Sequence, residues 1–195
     1  MAKLSVSQTL SKAKTHEKKG EIVEAQKLYR RVLDIFPNNK KAQHSLADLN
    51  RLQKNIGIII PPKNVINQLI NLYNQGNLIS VIEKSQKLIN QYPESFVIWN
   101  LLGAANKGLG RVGEASDAFR KVIALNPLFA GGYSNLGTTF HEQGKFQDAL
   151  KFYAKAIELQ PNYAEAYNNI GNTFKELGKF DEAIKSYNKA LSFEP

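Results

Sequence analysis

From Trp99 to Pro195, apolar side chains recur in paired stripes, each pair divided by a glycine and closed by a proline. Tyr167, Ile170, Gly171 and Phe174 stand at i, i+3, i+4 and i+7, one stripe of an amphipathic helix. Gly178 suits a left-handed cap ending that helix, and Ala183, Tyr187 and Ala190 mark the stripe of a second one. Pro195 and its equivalents stop the second helix and start the next unit. The preceding stretch repeats this order as Tyr133, Leu136, Gly137, Phe140, Gly144, Phe146, Ala149, Tyr153, Ala156 and Pro161. Before it come Trp99, Leu102, Gly103, Gly110, Val112, Ala115, Phe119, Val122 and Pro127.

The interval is constant. Gly76, Gly110, Gly144 and Gly178 are 34 residues apart, and so are Pro93, Pro127, Pro161 and Pro195. Gly171 and its equivalents remove a side chain where two helices approach closely, at a cost of about 1 kcal/mol in helix propensity that packing must offset. Helices of about 12–14 residues are marginal alone in water. Each unit therefore depends on its neighbours.

These residues resemble the tetratricopeptide repeat, whose pattern runs W-x2-L-G-x2-Y, then A-x3-F, then P. The resemblance implies an all-α fold, a right-handed α-α superhelix (solenoid) of antiparallel helix pairs. First helices would line a concave groove and second helices the outer surface. It also implies a non-catalytic scaffold that takes a peptide or protein segment in that groove. The four units expected are 62–95, 96–129, 130–163 and 164–195. The first of them is irregular, with Gln68 and Ser85 where an apolar and an aromatic residue belong, and it should be the softest.

Upstream, Gly20, Ala25, Tyr29, Val32 and Pro37 keep the second-helix pattern, while Lys12, Ala13 and His16 replace the usual signals of the first. Ala42, Leu46, Leu49 and Leu52 add another helix, so residues 1–53 read as a degenerate three-helix cap. Lys54 to Lys63, KNIGIIIPPK, reads as an isoleucine-proline linker. Ile58, Ile59 and Ile60 are too apolar for solvent and pack on a flank, fill the groove, or serve as a sticky arm. At the other end Phe180, Tyr187 and Leu191 form an uncapped flank. A partner, a second copy or further chain would cover it.

Opposite the core stripe of each first helix, at 100° per residue, lie the groove candidates. These are Asn67, Ile70 and Asn74; Val97, Leu101 and Ala104; Asn135, Thr138 and Glu142; and Asn169, Asn172 and Glu176. Asparagine both donates and accepts, so a row of them can hold the backbone of an extended peptide. The row resembles the asparagine ladder of O-linked N-acetylglucosamine transferase, broken here by Leu101. Val97, Leu101 and Ala104, beside Ile70, form an apolar strip on a face otherwise wet, which points to a partner or to an internal segment. Gly131, Asn135 and Glu165 stand where chaperone-binding relatives hold a carboxylate with basic residues, so that ligand is not implied.

Composition adds limits. Hydrophobic residues at 43% and charged residues at 22% describe a folding chain. No apolar run approaches the roughly 20 residues of a membrane span, and no signal segment opens the sequence, so the expected location is cytoplasmic. Cysteine is absent and the three histidines are scattered. With no phosphate loop and no metal-ligand spacing, neither catalysis nor a cofactor is expected. The net charge of +9 is uneven, since residues 1–56 hold 12 Lys/Arg against 5 Asp/Glu and the remainder 14 against 12. The basic third could meet nucleic acid, anionic lipid or an acidic partner. It lacks the interleaved aromatics of a base-stacking surface, which disfavours nucleic acid. The alternative to a free-standing scaffold is a recruiting or targeting region of a longer enzyme, since the layout resembles bacterial multidomain proteins that continue into glycosyl- or sulfotransferase domains.

Overall fold

The computed structural model describes residues 5–19, 21–55 and 60–193, with the side chains of 52–55 excepted. The described residues form eleven helices and no strand. They divide into two compact units, Met1–Ile59 and Ile60–Pro195.

The first unit holds α1 (Val6–Lys18), α2 (Ile22–Ile35) and α3 (Lys40–Asn55). Ser5 starts α1 through a capping box in which Gln8 N donates to its hydroxyl and Gln8 Oε1 accepts from its backbone N–H. Ala13, Ala25, Tyr29, Val32, Ala42 and Leu49 form the core. Ala13 is fully buried at the position that Gly103, Gly137 and Gly171 take in the last three repeats. The polar residues of α1 join its end to α2: His16 Nδ1 meets Glu21 Oε2, and Tyr29 donates to Glu17 at 2.9 Å.

The second unit holds α4 (Lys63–Asn74), α5 (Leu78–Gln91), α6 (Phe96–Gly108), α7 (Val112–Leu125), α8 (Ala130–Glu142), α9 (Phe146–Leu159), α10 (Ala164–Glu176) and α11 (Phe180–Leu191). Each hairpin turns on a glycine with φ near +70°, at Gly76, Gly110, Gly144 and Gly178. The residue after each glycine donates to a carbonyl five positions back, as Lys145 does to Phe140 and Lys179 to Phe174, both at 2.9 Å. That bond satisfies a helix-end carbonyl and fixes the reversal.

Within a hairpin, the ring of the second helix fills the place of the missing side chain in the first. A Cβ built on Gly103 would stand 2.7 Å from Phe119 Cε1, and one on Gly171 would stand 2.5 Å from Tyr187 Cε1. Between hairpins, Trp99 Nε1 donates to Pro93 O at 2.9 Å and ties α6 to the end of α5. The α4–α5 pair is the least intimate of the four. Ser85 occupies the ring's place there, buried and with its hydroxyl unpartnered in the protein.

The linker reading changes at both edges. Helix α3 runs to Asn55 and α4 takes Lys63, because Pro62 supplies an extended turn that starts α4. Ile60 is exposed, and Ile58 and Ile59 lie outside the described residues.

Candidate functional site

First helices touch first helices: α4 packs on α6, α6 on α8 and α8 on α10. No comparable contact joins α5 to α7, α7 to α9 or α9 to α11. A stack whose first helices converge while its second helices diverge has the first helices on its inner side. The twelve groove candidates all lie on α4, α6, α8 and α10, and the structure sorts them into three groups.

The first group is polar and open. Asn67, Asn74, Glu142 and Glu176 are exposed. The side chain of Asn169 is half-buried, and among the described residues it has no hydrogen-bond partner. A second group is polar but already engaged. Asn135 donates from Nδ2 to Asn100 Oδ1 at 3.1 Å, linking α8 to α6. Tyr187 donates to Asn172 Oδ1 at 2.8 Å, and Tyr153 reaches Thr138 Oγ1 at 3.5 Å. The rings of the second helices thus pass through the hairpin and end beside the inner face.

The third group is apolar. Val97, Leu101 and Ala104 are half-buried and Ile70 is exposed. Leu101 packs on the core of Val81, Ile82, Leu102, Ala105 and Ala118, and Ala104 on that of Phe119. The apolar strip is therefore a shallow floor rather than a projecting row.

Asn100, outside the predicted row, carries a contact that joins two successive hairpins of the second unit. The repeat pairs Asn135 with Leu101, 34 positions back, whereas its partner lies 35 back. This contact between hairpins is therefore offset by one position from the repeat interval. The asparagine adjoining Leu101 was the available signal.

Burial shapes the electrostatics of this face. It pushes the Tyr153 phenol up to about 12, with Glu142 and Glu165 adding to the rise and the Thr138 hydrogen bond opposing it. Burial likewise pushes Tyr163 up to about 12, helped by Glu165, to which its hydroxyl donates at 3.0 Å. Both phenols are neutral donors in any ordinary buffer. Among the described residues, no group of three or more His, Asp or Glu could hold a metal, and no helix is long and apolar enough to cross a membrane.

The last flank differs from its counterparts. Phe146, Leu150 and Ile157 of α9 are half-buried, while the matching Phe180, Ile184 and Leu191 of α11 are 64%, 56% and 62% exposed. Tyr187, which the sequence placed on that flank, is half-buried and turned toward Asn172.

Two tetratricopeptide-repeat family models match the chain, over residues 97–127 and 130–193. No curated protein matches it by sequence. Among solved structures, a crystal structure of MamA is 27% identical with a TM-score of 0.59, covering 93% of this chain and 94% of that one. Another MamA crystal structure is 26% identical with a TM-score of 0.58, covering 97% and 91%. MamA 41-end from Desulfovibrio magneticus RS-1 is 17% identical over 97% and 94%, and its TM-score of 0.62 is a likeness of fold.

Proposed function

We propose that this chain, a tetratricopeptide-repeat protein and hence a protein-interaction scaffold, binds an extended protein segment along the inner face of α4, α6, α8 and α10 without catalysing a reaction. The observation that carries this reading is the free amide of Asn169, held half-buried on the same face as the amide of Asn135 and the apolar floor of Val97, Leu101 and Ala104. Asn135 still offers its Oδ1, so the reading gives the groove two amides with acceptors and donors available. Such groups can pair the backbone of a visiting strand whatever its side chains, while the floor takes an apolar one. Binding partners should be lost from N135A/N169A and from L101E in affinity capture, and kept by D117A on the second-helix surface of α7. Full retention by both groove variants would refute the reading.

A partner is also proposed for the flank of α11. Inner flanks of this type lie under the next first helix, as α9 lies under α10. The row of Phe180, Ile184 and Leu191 has the spacing to receive an amphipathic helix from a second copy or another protein.

A further inference from the structure

The first unit carries a second recess, and its chemistry is unlike that of the groove in the second unit. A cavity of about 310 Å³ opens along α1 beside the start of α3, lined by Ser7, Leu10, Ser11, Lys14, Thr15, Lys18 and Lys41. Ser7, Ser11, Lys14 and Lys18 stand 13, 9, 6 and 2 residues before Gly20. Gly131, Asn135, Thr138 and Glu142 stand at the same distances before Gly144, so the recess occupies the groove positions of its own unit.

Its charge is uncompensated. Among the described residues, none of Lys14, Lys18 and Lys41 has an ion pair or side-chain hydrogen bond. The carboxylates of the unit are engaged elsewhere: Glu17 by Tyr29, Glu21 by His16, Glu24 by Lys27 and Asp48 by His44. Asp34, exposed on α2, does not line the recess. Thr15 spends its proton on Ser11 O at 3.0 Å, while the hydroxyls of Ser7 and Ser11 are free to donate. Three ammonium groups and two hydroxyl donors therefore converge on one concavity with no anion to meet them.

We propose that this recess is a docking site for an acidic, extended segment of a partner protein, read by its carboxylates. Lys14 and Lys18 are one turn apart on α1, about 6 Å between their Cβ atoms. Alternate side chains on one side of an extended strand are spaced about 6.6–6.8 Å, so carboxylates at i and i+2 match the pair, with Lys41 taking a third. A concave recess disfavours a flat lipid surface, and no aromatic lines it to stack a base. Both surfaces are nevertheless tested as rivals.

The probe is a fluorescent hexaglutamate with blocked ends, titrated by anisotropy into the full chain at about 20 mM salt. Wild type binds, and the affinity falls at least about tenfold at physiological ionic strength, as expected for exposed charges. K14Q/K18Q/K41Q weakens binding by at least about tenfold with an unchanged helical circular dichroism spectrum, whereas K84Q/K87Q on α5 leaves it within twofold. No binding by wild type, or equal loss in both variants, overturns the proposal. So does tighter binding to an octauridylate or to phosphatidylserine vesicles that the same triple substitution abolishes. The capture experiment on the groove variants reads the second unit, so either proposal can fail alone.

Discussion

The ring of Tyr153 lies so close to Gly137 that a Cβ there would stand 2.7 Å from Cε1, and 3.2 Å from Ala149 O. One contact joins the two signals of the repeat: the glycine of the first helix is the seat of the aromatic ring of the second. The pairs Gly103 with Phe119 and Gly171 with Tyr187 repeat it. The ring also carries the hydroxyl that ends beside Thr138 or Asn172, so packing and the polarity of the inner face share a residue.

Gly137→Ala should therefore destabilise the protein by about 1–2 kcal/mol, because overpacking against a ring and a backbone carbonyl outweighs the gain in helix propensity. Gly113→Ala, where a Cβ would meet nothing within 4 Å, should stabilise by up to about 1 kcal/mol. Urea midpoints of the two variants check the opposite signs.

Tyr187→Phe should cost about 1 kcal/mol through the lost 2.8 Å bond to Asn172. Tyr153→Phe should cost less for its hydrogen bond, since 3.5 Å lies beyond the usual range for a hydroxyl donor. Comparing the two by thermal unfolding separates the polar contact from the ring packing they share.

Alkaline stability follows from the two raised phenols. In the unfolded chain tyrosine titrates near 10, and in the folded one Tyr153 and Tyr163 hold their protons to about 12. The unfolded state loses these protons first, so their contribution is complete below about pH 10 and is lost as pH rises from about 10 to about 12. Free energies of unfolding across that window should fall in wild type and fall less steeply in Tyr153→Phe.

Much of this was legible in the chain itself, for stated reasons. Gly144 and Pro127 mark turns through backbone constraints that act locally, and the stripes of Leu136 and Phe140 report a face rather than a partner. Contacts between units are harder to read. A fixed interval of 34 pairs Asn135 with Leu101, whereas the contact falls on Asn100, because packing between hairpins is set by the stack and not by the repeat. The helical spacing places Asn172 in the open row, yet Tyr187, fifteen positions on, occupies its carbonyl oxygen. Lys14, Lys18 and Lys41 entered the sequence reading as part of a bulk charge, and only the fold gathers them into one recess.

Ile184→Glu should reduce any self-association without a loss of stability, since that side chain is 56% exposed on α11. Sedimentation velocity over a concentration series measures this. An unchanged distribution in a wild type that does associate would place the contact elsewhere.

On the proposed reading, the inner face of the first helices holds another protein. A photo-crosslinking benzophenone residue installed in turn at Leu101, Asn169 and Asp117, with adducts mapped by mass spectrometry, reads that face directly. The prediction is one partner joined at Leu101 and Asn169 and none at Asp117; adducts at Asp117 with none at the other two would contradict it.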